Sequence, residues 1–187
     1  IRLKRTLADP HKTRRVRYRV HVKEGQASDF FAQGASQQIK SLEDDWAEIE
    51  VQAISPLVPP STTKQRPPTA ADTAANSLIQ SDSDLVMAMA NSVKSDTNNP
   101  WQLACQLEKY VYQLIDKKDF STALGSAAEV ARSRAGDCTE HAVLLAGLAR
   151  ARGLASRVFV GLVYVPALGG FSYHMWTEVW VQDHWLP

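Results

Sequence analysis

Only two cysteines occur in the chain, Cys105 and Cys138. Two cannot build the disulfide framework of a small secreted scaffold, and their spacing matches no zinc-binding pattern. Cysteine usage therefore leaves the compartment open. No apolar run approaches the roughly 18 to 20 residues that a spanning helix needs, so this sequence offers no membrane span. Excess charge is lacking as well, with 21 Lys and Arg against 20 Asp and Glu. That balance gives no electrostatic footprint for nucleic acid or an anionic membrane. The one basic run, 14–19, alternates with apolar residues and reads as the wet face of a strand. What is present is 44% apolar composition over 187 residues, enough for one packed domain and a smaller unit. Ile1 at the start and Pro187 directly after a strand pattern read as a fragment trimmed at both ends, with room for a removed signal peptide or anchor.

The hydrophobic periods divide the chain. Val16, Tyr18, Val20 and Val22 alternate with polar neighbours, and Ile49, Val51 and Ala53 alternate with Glu48, Glu50 and Gln52. Period two over such runs predicts half-buried strands, so residues 1–55 form a small β-rich unit. Residues 56–80 turn to Pro, Ser and Thr, with Pro59-Pro60 and Pro67-Pro68, and read as a linker. Helical punctuation then takes over in 81–187. Asp82 or Ser83 can cap a helix through Ala90, and Asn99-Pro100 is a cap followed by proline at the first helical position. Trp101, Ala104, Leu107, Val111 and Leu114 form the stripe of that second helix, and Cys105 on it reads as a buried small hydrophobe. Ser126 caps a short helix, and an apolar helix runs from Cys138 to Arg152, closed by Gly153. Residues 156–165 and 172–182, joined through Gly169-Gly170, read as an antiparallel pair.

Two residues carry the chemistry. A helix N-terminus presents unpaired N–H groups that favour a thiolate and can receive an oxyanion, and Cys138 stands at such an end. Position alone leaves open whether Cys138 is a nucleophile or a packed thiol. His174 opens a strand on which His174, Trp176 and Glu178 share a face, so an imidazole there is a workable base for a thiol. Taken alone it also reads as a packed residue among aromatics.

Gly136-Asp137-Cys138-Thr139-Glu140-His141-Ala142, then Arg157-Val158-Phe159-Val160-Gly161, then Tyr173-His174-Met175-Trp176-Thr177-Glu178-Val179 with Trp185, resembles the bacterial transglutaminase-like superfamily over about residues 82–187. The resemblance implies an α+β, papain-like fold in which a helix bearing the thiol nucleophile packs on an antiparallel sheet. It places Cys138 and His174 in a catalytic triad whose aspartate follows the position of Trp185 by a few residues, beyond Pro187. Asp183 is the nearest carboxylate within the chain, but Gln182-Asp183-His184 reads as a tight turn. The family's second oxyanion donor, a side chain upstream of the cysteine, has no assigned residue.

The remaining polar groups have plainer readings. Asp137 caps the helix of Cys138. Glu140 and Glu178 read as exposed carboxylates, with support of the site as the alternative. Cys138 and His141 are only two ligands and do not make a zinc site, so no metal or organic cofactor is expected. The activity implied is acyl transfer on amide bonds of a peptide or protein, as a cysteine protease or other amide hydrolase. Protein-glutamine cross-linking, or a binding module that keeps the fold without turnover, are the alternatives, and strand addition on the β unit is another route to a partner. With its third residue missing, the chain is expected to be nearly inactive. An unpaired edge on the 172–182 strand is expected to invite self-association. The resemblance implies a bacterial protein and is compatible with export to the periplasm.

Overall fold

The computed structural model describes residues 1–31, 33–34, 36–54, 65–95, 98–117 and 124–187. Strands β1 (Arg15–His21), β2 (Gln37–Glu43) and β3 (Trp46–Gln52) form an antiparallel sheet in the order β1-β3-β2. On β1 the arginines are exposed and Val16, Tyr18 and Val20 are half-buried, as period two requires. Arg17 lies 3.2 Å from both Glu48 and Glu50 of β3, so the middle of the basic run is paired across the sheet. The opposite face buries Ala47 and Ile49 with Ala27. Strand β2 is absent from the sequence reading for a physical reason. Its register shifts between Ile39 and Ser41, and such a bulge breaks the alternation by which a strand is recognised.

Among the described residues four α-helices follow: α1 (Asp84–Ser92), α2 (Pro100–Leu114), α3 (Ala127–Ser133) and α4 (Cys138–Ala151). Each starts where its cap residue predicts. The Asn99 side chain accepts from the Trp101 and Gln102 amides at 2.9 and 3.4 Å, and Ser126 donates from backbone and hydroxyl to Glu129 at 2.9 and 2.7 Å. Helix α4 is central, with Val143, Leu144, Ala146, Leu148 and Ala149 wholly buried among α1, α2, α3 and the second sheet.

That sheet comprises β4 (Ser156–Val165), β5 (Gly170–Val181) and β6 (His184–Leu186), all antiparallel in that order. Thr177, Val179 and Val181 form the face of β5 that is buried. Two hydroxyls pin α4 to the sheet: Thr177 donates to the Ala142 carbonyl at 2.7 Å and Ser156 to the Ala146 carbonyl at 2.9 Å.

Three expectations need correction here. The Pro-rich 55–64 part of the expected linker lies outside the described residues, but 65–80 are tied to the core. Gln65 accepts the Trp185 amide at 2.6 Å, and buried Arg150 donates to the Ala74 carbonyl at 2.5 Å. The edge of β5 is not bare along its length. Gln182 and Asp183 both adopt positive φ, the two-residue turn that matches strand twist, and fold β6 back onto residues 179–181. At the other end Ile1 exchanges hydrogen bonds with Phe171. Finally, Cys105 is exposed rather than buried. The buried stripe of α2 runs through Ala104, Leu107 and Val111, and one residue further turns the side chain about 100° off it.

Candidate active site

Cys138 is the first residue of α4, and the turn that precedes it is built around a buried carboxylate. Glu140, 1% exposed, accepts the Asp137 amide and the Gly125 amide, each at 3.0 Å, and the Thr139 hydroxyl at 2.8 Å. The sequence reading of Glu140 as exposed is therefore wrong. The Asp137 and Gly125 amides have no other acceptor among the described residues, and taking up such donors is what permits a carboxylate to be buried. Gly136, at φ 151°, leaves the space this side chain occupies, since a Cβ there would collide with Glu140.

Asp137 caps the helix as expected. Its carboxylate accepts the Thr139 amide at 2.8 Å and the Thr139 hydroxyl at 2.7 Å, and completes a capping box with Glu140. The Asp137 carbonyl accepts the His141 amide at 3.1 Å and, at 2.6 Å, the protonated Nδ1 of the His141 ring. Among the amides of this first turn, that of Cys138 alone has no acceptor among the described residues. A single N–H is thus left at the thiol.

Burial works against the charge of Asp137, but the hydrogen bonds from Thr139 and Glu140 and the nearby His141 outweigh it and hold the carboxyl below its ordinary range. A carboxyl depressed on folding adds stability above its unfolded pKa and loses it as pH falls through the folded value. Asp137→Ala is therefore expected to cost about 1 kcal/mol near neutrality, and less in acid once the wild-type cap is protonated. Urea melts of both proteins at pH 7 and pH 3 check this; an equal deficit at both would contradict the assignment.

Cys138 and His174 line one pocket of about 430 Å³. His174, Met175, Trp176 and Thr177 all contribute, and four consecutive strand residues can do so only if the pocket wraps an edge of β5. Helix α2 supplies Glu108, Val111 and Tyr112, and α4 supplies His141, Ala142 and Leu145. No hydrogen bond joins the Cys138 thiol to His174 among the described residues, a common state of catalytic pairs without substrate. Trp176 lies across β4, where a Cβ on Gly161 would stand 2.5 Å from its ring, and it is flanked by Phe159 at 5.5 Å and stacked on His174 at 6.5 Å between centroids. Its buried Nε1 has no acceptor among the described residues.

The other candidates fall elsewhere. Glu178 is half-buried in an ion pair with Arg157 at 2.6 Å, which in turn sits over the Trp185 ring at 4.3 Å. Asp183 occupies the β5–β6 turn, and the seven residue steps from His174 to Val181 span roughly 23 Å of strand, so Asp183 does not reach the His174 ring. Trp180 packs edge-on to Trp185 at 5.4 Å and does not line the pocket. Glu108, Tyr112 and Leu145 were not singled out by sequence. Glu108 and Tyr112 stand four apart on one flank of the α2 stripe, the available signal, but nothing in the sequence says which helix faces the cysteine. Among the described residues no cluster of three or more His, Cys, Asp or Glu is placed to hold a metal ion.

A helix that starts at a cysteine thus packs on an antiparallel sheet bearing a histidine, a mixed α+β arrangement. Residues 87–187 match the family model of the transglutaminase-like superfamily, and the chain belongs to that superfamily. No curated protein matches the chain. Among solved structures, a protein of Cytophaga hutchinsonii provisionally described as a cysteine protease is similar, with a TM-score of 0.61 and 15% identity over 91% of this chain and 72% of that one. The periplasmic domain of TgpA from Pseudomonas aeruginosa, bound to ethylmercury, is similar with a TM-score of 0.58 and 16% identity over 94% and 71%. At such identities the likeness is one of fold. Together with the family match it supports a cysteine-dependent enzyme family. No helix among the described residues is long and apolar enough to cross a membrane.

Proposed function

We propose that the chain catalyses thiol-dependent acyl transfer on amide bonds of a peptide or protein, as a cysteine peptidase or amidase. The observation that carries this reading is the shared pocket of Cys138 and His174, at the end of α4 where one backbone N–H has no acceptor among the described residues. In the proposed reaction His174 takes the thiol proton, the Cys138 sulfur attacks the amide carbon, and the Cys138 N–H faces the developing oxyanion. The protonated His174 then gives its proton to the leaving amine, and water resolves the thioester. Trp176 fixes the His174 ring by stacking, and Asp137 orients the helix end. No carboxylate role at His174 is assigned to Asp183. Export is part of the proposal, supported by the periplasmic origin of the TgpA domain.

Thiol reactivity tests the nucleophile. Burial of the thiol, and then the Glu108 carboxylate, push the Cys105 pKa up, so Cys105 is a slow nucleophile even though its residue is exposed. Iodoacetamide at pH 6 to 7 is expected to alkylate Cys138 at least ~10-fold faster than Cys105, read by peptide mapping. An organomercurial such as the ethylmercury carried by the TgpA domain is expected to show the same order. Equal rates, or faster labelling of Cys105, would remove Cys138 from the nucleophile role.

A further inference from the structure

The pocket wall formed by α2 has a charge that the proposed acyl transfer does not use. Glu108 lines the pocket and has no hydrogen bond or ion pair among the described residues, whereas Asp137, the other carboxylate of the lining, is committed to the helix cap. Among the described residues no lysine or arginine lines the pocket. One helical turn beyond Glu108, on the same flank of α2, Tyr112 also lines the pocket and is 67% exposed. A carboxylate next to an open aromatic face is the pairing that attracts an ammonium group, by charge and by the ring quadrupole together. The basic side chains among the described lining residues are His141, held by the Asp137 carbonyl, and His174, so an anionic group entering on the α2 side would meet the Glu108 carboxylate there.

We propose that Glu108 and Tyr112 are specificity residues that receive a primary ammonium group of the substrate, carried on the peptide close to the amide that Cys138 attacks. The inference rests on Cys138 being the nucleophile and names the substrate class of that site: cationic peptides, with acidic ones disfavoured. The ammonium can come from a lysine-like side chain or from a free amino terminus, and the experiment separates them.

Four chloromethyl ketones serve as probes of Cys138 alkylation: acetyl-lysyl, acetyl-alanyl, acetyl-glutamyl and unblocked alanyl. One unpaired charge at a wet pocket rim is worth about fivefold in rate at contact distance. The acetyl-lysyl or the unblocked alanyl probe is therefore expected to react about fivefold faster than acetyl-alanyl, and acetyl-glutamyl more slowly. Whichever of the two cationic probes is favoured identifies the source of the ammonium. Glu108→Gln is expected to bring the cationic-to-neutral ratio within about twofold of one, Glu108→Lys to invert it, and Tyr112→Leu to lower it. Raising salt from 0.05 to 0.5 M should shrink the wild-type ratio, as screening requires. Ratios near one in the wild type, or a ratio that Glu108→Gln leaves intact while the neutral probe still reaches Cys138, would overturn this inference alone. If no probe reaches Cys138 ahead of Cys105, the nucleophile assignment and this inference fall together.

Discussion

In a form of the protein that also carries the expected third residue, replacing Cys138 by alanine is expected to abolish amide cleavage, and replacing His174 by alanine to lower it by on the order of 10⁴-fold, since members of a nucleophile–base pair act as a unit. Release of new amino groups from a mixed peptide digest, followed with an amine-reactive dye, measures this without knowledge of the natural substrate. The two losses should not add: the double variant is expected to be no worse than Cys138→Ala alone. Water is expected to resolve the thioester, so a labelled primary amine should not be incorporated into a glutamine-containing protein. Robust incorporation would replace hydrolysis by cross-linking and leave the pair intact. Full turnover by Cys138→Ala would sink the mechanism as a whole. Stability controls are simple here, because the Cys138 thiol is only half-buried and makes no hydrogen bond that the helix cap needs.

Much of this site is legible in sequence because its parts are local. Asn99-Pro100, Ser126 with Glu129, and Asp137 announce helix starts that occur where they should, and a helix start is what makes Cys138 distinctive. Alternation along β5 likewise puts His174 and Trp176 on one face, where their rings stack. What escaped depends on partners distant in sequence. Glu140 looks like a surface carboxylate until Gly125, fifteen positions earlier, delivers its amide to it. Cys105 looks buried because its neighbour Ala104 is, and one step around a helix decides between core and solvent. Glu108 acquires meaning only from the way α2 packs beside α4. The turn before β6 is legible in Gln182-Asp183-His184, but three residues show too little alternation to reveal that the strand after it lies within the chain.

Glu140→Ala is expected to be the most destabilising single change in the vicinity of the site. It strips the acceptor from the buried Gly125 amide and the part-buried Asp137 amide, while the Thr139 hydroxyl keeps Asp137, and each orphaned donor costs about 1–3 kcal/mol. Removal of the side chain also leaves a void under Gly136, whose Cβ-less backbone lies against it. Because the donors share one carboxylate, the costs do not simply sum, and a total of about 3–5 kcal/mol is expected. For a chain of this size that lowers Tm by roughly 10 °C. Glu140→Gln distinguishes acceptor loss from lost packing. It keeps the volume but turns one oxygen into an NH₂ that faces an N–H donor, so it should recover the packing part of the loss and no more. The two variants also separate folding from chemistry. Glu140 holds the Asp137 amide and thereby the direction in which the α4 N-terminus opens onto Cys138. Below the melting temperature, the alkylation rate of Cys138 should fall in both variants relative to that of Cys105. A Glu140→Ala protein that melts within about 2 °C of wild type would show that the carboxylate is not what holds this turn.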